Sequence, residues 1–271
     1  MRTAITGRTR LILVLGLVAL LLLGAALSGC KKSSPIKIGA TSVPHAEILE
    51  FVKPILEEEG IQIEIVELSD YVQPNLQLAD GQLAANFFQH IPYFESFIAE
   101  RNLDLIWTAK VHIEPMGVYP GKTKTLEDLG DGDQIGIPND VTNAGRALAL
   151  LEKAGLIKLA DGVGVNGTVL DIVENPRNLK IVELSAELLP RSLEDLDAAV
   201  INGNFAIQAG FSPLEDALFL EDGDSPYANI FAIRKKDKDD PALKRIAEVL
   251  TSSEVKEFIL NKYEGGVIPA F

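Results

Sequence analysis

The chain has 271 residues and carries 39 acidic against 25 basic side chains, a net charge of −14 at neutral pH. Such acidity argues against nucleic acid as a partner and against an electrostatic membrane patch. Its single cysteine, Cys30, excludes a disulfide within the chain and a thiol nucleophile in the folded body.

The N-terminal stretch reads differently from the rest. Arg2, Arg8 and Arg10 come with no acidic residue, the apolar run Leu11 to Leu23 follows, and then Leu27-Ser28-Gly29-Cys30. A basic head, an apolar middle and small residues at the end make a secretory signal peptide. The run is shorter than the ~20 apolar residues of a comfortable membrane span; the alternative is an uncleaved anchor helix. The ending resembles a bacterial lipobox, which implies a lipoprotein signal peptide over 1–29, cleavage before Cys30, and a lipid on Cys30. Residues 30–35 are then a polar, lipidated tether. The expected location is the cell envelope, lipid-anchored to a membrane on its periplasmic or extracellular face. Removing residues 1–29 removes three arginines and no acid, which leaves 242 residues at a net charge of −17. That length suits one large domain or two lobes of ~120 residues.

The body alternates strand and helix. Residues 36–41 read as a strand, 44–59 as a helix with Ile48, Leu49, Val52, Ile55 and Leu56 at helical spacing, and Gly60 as its stop. Residues 61–68 alternate as a strand, 71–78 form a short helix, 83–88 a strand, 90–101 a helix and 103–111 a strand. This order predicts a parallel-type sheet covered by helices. A second set follows: a helical turn at 125–129, strand 134–138, helix 142–154 closed by Gly155, strand 179–183, helix 188–193, strand 198–201, helix 204–209 and strand 218–220. The chain then returns with strand 229–233. Asp240-Pro241 opens one helix, and Thr251 with Glu254 forms a capping box for the last, which ends near Tyr263. The predicted fold is α/β, with lobe 1 made of 36–113 plus 228–271 and lobe 2 of 114–227. The crossings fall near 112–116 and 222–227.

Several constellations are candidates for function. His45, His90 and His112 lie after separate strands but have no local metal-site spacing; His45 and His112 read as helix-start and loop polar residues, and no metal is expected. In Asn86-Phe87-Phe88-Gln89-His90, alternate residues share a face, so Phe88 and His90 look to one side. The residues leave two readings open, core or a cleft to which Tyr71 adds a third ring. Such a wall suits an apolar or thioether tail. In the strand-to-helix turn Asn139 to Arg146, caps account for most residues, but a guanidinium beside a helix N-terminus can grip a carboxylate. Asn202-Gly203-Asn204 after a buried strand, and Asn229 near the return crossing, offer amides that can receive an ammonium without burying an unpaired charge. Gly162 to Gly167 matches G-x-G-x-x-G by letters but follows a polar turn, not a strand. The acidic turns at Asp131 and Asp133 and at Asp222 and Asp224 lack the calcium-loop pattern. No P-loop or nucleophile elbow is present, so a hydrolase using Ser, His and a carboxylate has no signature.

Taken in order, "HAEILEFVKP", "DYVQPNLQLADG", "NFFQHIPY", "IEPMGVY", "IPNDVTNAGRAL", "DIVENPRNLKIVEL", "DAAVINGNFA", "DSPYANI" and "GGVIPAF" resemble the NlpA-type methionine-binding lipoproteins, the substrate-binding proteins of methionine ABC importers. The resemblance runs from about residue 36 to 271. Departures are the segment "ATSVPH", where the family usually has Pro-Gly before Pro-His, and Val141 and Ala144 for Pro and Gly. The resemblance implies a two-lobed periplasmic-binding-protein fold of type II-like kind, its lobes joined by two crossings and closing on a ligand. It implies that Arg146 holds the ligand carboxylate, that Asn202 and Asn229 fix the amino-acid backbone, and that Tyr71, Phe88 and His90 line the thioether pocket with Met116 nearby. It implies no enzyme activity, no cofactor and no metal. The expected partners are L-methionine or a close analogue, the importer's permease and ATPase, and the membrane through Cys30. The chain is expected to be a monomer that binds no nucleic acid. The alternatives are a receptor for D-methionine, a methionyl dipeptide or another apolar amino acid, and a surface adhesin.

Overall fold

The structure, a computed structural model, describes residues 34–223 and 225–271. The signal peptide, Cys30, the tether as far as residue 33, and Asp224 lie outside the described residues. Among the described residues no helix is long and apolar enough to cross a membrane.

In chain order the elements are β1 (Ile36–Ala40), α1 (Glu47–Glu58), β2 (Ile63–Glu67), α2 (Gln73–Ala79), β3 (Ala85–His90), α3 (Ile91–Arg101) and β4 (Leu105–Ile113). Then come β5 (Gly117–Pro120), β6 (Gln134–Pro138), α4 (Val141–Lys153), β7 (Lys158–Leu159), β8 (Ile172–Glu174), β9 (Lys180–Leu184), α5 (Leu189–Ser192), β10 (Ala198–Ile201), α6 (Gly203–Gln208), α7 (Pro213–Asp216) and β11 (Phe219–Leu220). The chain closes with β12 (Ala228–Arg234), α8 (Pro241–Leu250), α9 (Ser253–Tyr263) and β13 (Ile268–Pro269).

Two sheets organise the body. One has the order β13-β4-β12-β3-β1-β2, the other β11-β5-β10-β6-β9. In the first, β1 runs parallel to β2 and β3, but the returning β12 is inserted antiparallel between β3 and β4. The sheet is therefore mixed, where strand–helix alternation had predicted a parallel one. Alternation reports local order and is blind to a strand that arrives more than a hundred residues later. Apolar residues of α1, α8 and α9, among them Leu49, Val52, Ile246 and Ile259, pack with Ile38, Phe87 and Phe231 of this sheet. Leu78, Phe94 and Ile230 form a separate apolar cluster.

The second sheet repeats the logic. Ala198 and Val200 pack with Ala147, Leu148 and Leu151 of α4, whereas Ala199 and Ile201 pack with Leu189, Leu193 and Phe205. Successive strand residues point to opposite faces, and both faces of β10 are covered, which is why its sequence is wholly apolar.

The chain passes between the sheets twice, between β4 and β5 and between β11 and β12. The two passages run side by side: Glu221 N–H donates to Met116 O at 2.9 Å and Leu218 N–H to Val118 O at 2.7 Å. Two local expectations are corrected. Residues 125–129 form a turn closed by Asp128 on the Thr125 hydroxyl, not a helix. The last helix is capped by Ser252, whose hydroxyl accepts from Val255 N–H, while Thr251 donates back to Ala247 O. The short strands β5, β7, β8 and β13 lack enough periodicity to be predicted.

Candidate functional site

The end of β3 is fixed from behind. Asn75 and Gln89 exchange two amide hydrogen bonds of 2.7 Å, and Asn86 donates to Asn75 at 2.8 Å. Their burial is complete or nearly so, so these amides lock one another, and Gln89 borders the same cavity as Phe88 and His90. His90 is also the N-cap of α3: its Nδ1 accepts from Tyr93 N–H at 3.1 Å. That bond defines the tautomer, with the proton on Nε2, which donates to Asn143 Oδ1 at 3.0 Å. Burial and the nearby Arg146 charge push the His90 pKa down to about 3, so the ring is neutral.

Across the cleft, Asp140 caps α4 by accepting from Asn143 N–H at 3.0 Å. Its carboxylate also receives Asn143 Nδ2 at 2.9 Å, which turns Asn143 Oδ1 outward to accept both His90 Nε2 and Asn202 Nδ2, the latter at 2.8 Å. Asn202 Oδ1 is left buried with no partner among the described residues. The same holds for Asn204 Nδ2, because Asn204 Oδ1 is taken by the Tyr71 hydroxyl at 2.6 Å. Buried polar atoms without partners are rare and costly, on the order of 1–3 kcal/mol each. Here one acceptor and one donor face the same cavity.

Arg146, on α4, is nearly fully buried. Its Nε donates to Glu221 Oε1 at 3.0 Å, and Nη2 donates to Glu221 Oε2 and, at 2.8 Å, to Glu114 O. The guanidinium lies 4.1 Å from the centre of the Tyr227 ring. Nη1 makes no hydrogen bond among the described residues. The aromatic wall is Tyr71, with Phe205 stacked at 5.0 Å and with Tyr93 and Phe88 at 5.8 and 6.0 Å.

Most of these side chains line one cavity. All six residues singled out from the sequence border it: Tyr71, Phe88, His90, Arg146, Asn202 and Asn229. Met116 does not; its side chain packs with Leu129 and Ile135 in the second core. Tyr93, Glu114, Asn143 and Asn204 also border the cavity. Glu114, in the first crossing, and Tyr93, on α3, are residues that reading missed outright. A lone acid in an otherwise apolar "HIEPMG" was the available signal.

His45 does lie at a helix start, just before α1, but His112 lies in β4 and not in a loop. Both are completely buried and meet at Glu114, whose Oε1 lies 2.7 Å from His112 Nε2 and 3.4 Å from His45 Nε2. His45 is braced by Thr41 Oγ1 at 2.7 Å and by Asn229 Oδ1 at 3.2 Å. Burial pushes the pKa of His45 down to about 4 and of His112 to about 3, and pushes the Glu114 carboxyl up. The imidazoles are therefore neutral and their contacts with Glu114 are hydrogen bonds, not ion pairs. The three residues are types that hold zinc, with ligand atoms within 4.8 Å of one another. But zinc ligands at ~2.0–2.1 Å in a tetrahedron stand roughly 3.3 Å apart, wider than the His112–Glu114 pair. Glu114 Oε2 is also engaged, accepting Asn204 N–H at 2.9 Å. As packed, the group is a hydrogen-bonded knot behind the cavity.

A cavity between two α/β lobes, with rings on one wall and an arginine and unpartnered amides on the other, defines a binding protein of the two-lobed periplasmic kind, its lobes joined by two crossings. A family model described as NlpA lipoprotein matches residues 36–271. The chain belongs to that family. It is 44% identical over 250 residues to the D-methionine-binding lipoprotein MetQ of Salmonella typhimurium, covering 90% of this chain and 92% of that one. It is 44% identical over 239 residues to the methionine-binding lipoprotein MetQ of Bacillus subtilis, with 86% and 87% covered. Among solved structures, a nutrient binding protein from Burkholderia cenocepacia bound to methionine superposes with a TM-score of 0.84 at 46% identity, over 87% of this chain and all of that one.

Proposed function

We propose that this protein is the substrate-binding lipoprotein of an ABC importer and that it captures methionine between its lobes. One observation carries the reading: Asn202 Oδ1 and Asn204 Nδ2, an acceptor and a donor, stand buried and unpartnered beside Arg146 in a cavity whose other wall is aromatic. An α-amino acid supplies what this arrangement lacks. Its ammonium donates to Asn202 Oδ1, with Asn229 alongside; its carboxylate accepts from Arg146 Nη1 and Asn204 Nδ2. The thioether lies against Tyr71, Phe88 and Tyr93, where sulfur–ring contacts contribute ~0.3–1.5 kcal/mol each, and His90 closes that end. Capture involves no covalent chemistry.

In this reading lobe 1 comprises 36–113 plus 228–271 and lobe 2 comprises 114–227. A lipid on Cys30 holds a monomer at the membrane of the cell envelope, where it meets the permease and ATPase. Native mass spectrometry of the body lacking residues 1–30, before and after mild denaturation, followed by calorimetry of the refolded protein, tests the ligand. A lost adduct of methionine mass, and heat on adding methionine, are expected; refolded protein that ignores methionine overturns the reading. The relatives' names favour testing D-methionine beside L-methionine, since the amides, Arg146 and the aromatic wall together read three substituents of one chiral carbon.

A further inference from the structure

Glu221 was not singled out by its sequence and does not border the cavity, yet it holds the arginine that does. We propose that Glu221 positions Arg146 and sets the charge selectivity of the cleft, so that the site takes a zwitterion in preference to a simple carboxylate anion; this rests on the reading of the cleft as an amino-acid site. The pair is deeply buried, with Arg146 exposed by 4% and Glu221 by 10%. The carboxylate meets the guanidinium edge-on through Nε and Nη2, and its Oε2 also accepts Met116 N–H at 3.3 Å. Glu114 O takes Nη2 as well, and Tyr227 covers the guanidinium face. Four contacts from both crossings therefore fix the fork and leave Nη1 for a ligand.

The charge consequence follows from the same contacts. A buried arginine alone would be a unit positive charge, and a monoanion would be its best complement. With Glu221 bound to it, the pair is neutral before any ligand arrives. A carboxylate without an ammonium then adds a net negative charge to a site lined by buried side chains, which costs heavily. A zwitterion adds none. Glu114, the carboxylate that borders the cavity, does not alter the sign: neutral it adds nothing, and ionised it disfavours an anion further. The histidines facing the site are neutral.

The test compares L-methionine with its 2-hydroxy acid analogue, which keeps the carboxylate and thioether and lacks the ammonium. Both are titrated calorimetrically at low ionic strength into wild-type protein, Glu221→Gln and Glu221→Asp, each checked for folding by circular dichroism. In Glu221→Gln the affinity ratio should move at least tenfold toward the hydroxy acid. Glu221→Asp keeps the charge but shortens the reach, so it should keep the wild-type ratio while both ligands weaken at least threefold. An unchanged ratio in Glu221→Gln overturns the selectivity assignment, since a merely structural role would weaken both ligands alike. Should Glu221→Gln not fold, Glu221→Asp decides the positioning and wild-type protein the selectivity: parallel weakening in Glu221→Asp and a wild-type preference of at least tenfold for methionine over the hydroxy acid support the proposal, and full wild-type affinity in Glu221→Asp or no wild-type preference overturns it. Wild-type protein that binds neither ligand overturns the reading of the cleft, a result distinct from binding with an unaltered ratio.

Discussion

Arg146 shows how far a residue's role can be read from its neighbours in sequence. A strand end, an Asp cap and a guanidinium six residues later already suggested an anion grip; the structure adds that two of the three nitrogens are engaged internally. Lysine cannot reproduce a planar fork held on one edge while a further donor faces a ligand. Arg146→Lys should weaken methionine binding by roughly 10- to 100-fold, matching the ~1.5–3 kcal/mol of a charge-assisted bond, as read by calorimetry. Asn143 is a second case. Its Oδ1 receives both His90 and Asn202, so Asn143→Ala leaves two buried donors unpaired and should destabilise the fold by about 2–4 kcal/mol, measured by urea denaturation. Asn202 and Asn229 were legible because amides at strand ends are conspicuous. Glu114 and Glu221 were not: apart from His112 two positions before Glu114, their partners in these bonds lie 32 to 105 positions away and leave no local pattern.

At the scale of elements, the long helices and buried strands were legible because period and caps agree; β3 and α3 even share His90 as last strand residue and cap. The weak spots were two-residue strands and an edge-to-centre insertion, which depend on tertiary pairing. The start of α6 illustrates a constraint invisible to periodicity. A Cβ on Gly203 would stand 2.8 Å from Glu114 Cβ and 3.1 Å from Pro115 O, so α6 approaches the first crossing closely enough for Asn204 N–H to reach Glu114. Gly203 is not at positive φ, so the penalty of Gly203→Ala is steric. Overpacking of this kind costs ~1–3 kcal/mol, and the melting temperature should drop by roughly 2–10 °C.

For the whole molecule, the buried histidines give a pH dependence with a definite sign. His45, His90 and His112 have folded values near 4, 3 and 3 against an ordinary 6.5. Between those values the unfolded chain binds protons that the folded chain refuses, so stability is highest above pH 6.5 and falls as pH drops. Glu114, raised by burial, works in the opposite sense and stabilises on the acid side, but it is one group against three. The expected slope near pH 5 approaches roughly 3 kcal/mol per pH unit. Urea midpoints at pH 7, 6 and 5 check it, and a flat series contradicts the burial of neutral histidines.

The paired crossings carry one more implication. Glu221 and Met116 bond through their backbones, β11 pairs with β5, and the Glu221 side chain reaches Met116 N–H as well. Two connections that ran independently would act as separate strings, leaving each half of the molecule able to slide, twist and tilt against the other. Laced together, they form a flat strap: stiff along its length and against shear in its plane, compliant in flexing across its thickness. A strap permits one easy movement. Flexing of that kind would swing the lip of the cavity like a book cover on its spine, and Arg146, bonded to Glu221 and to Glu114 O, is fastened to the spine.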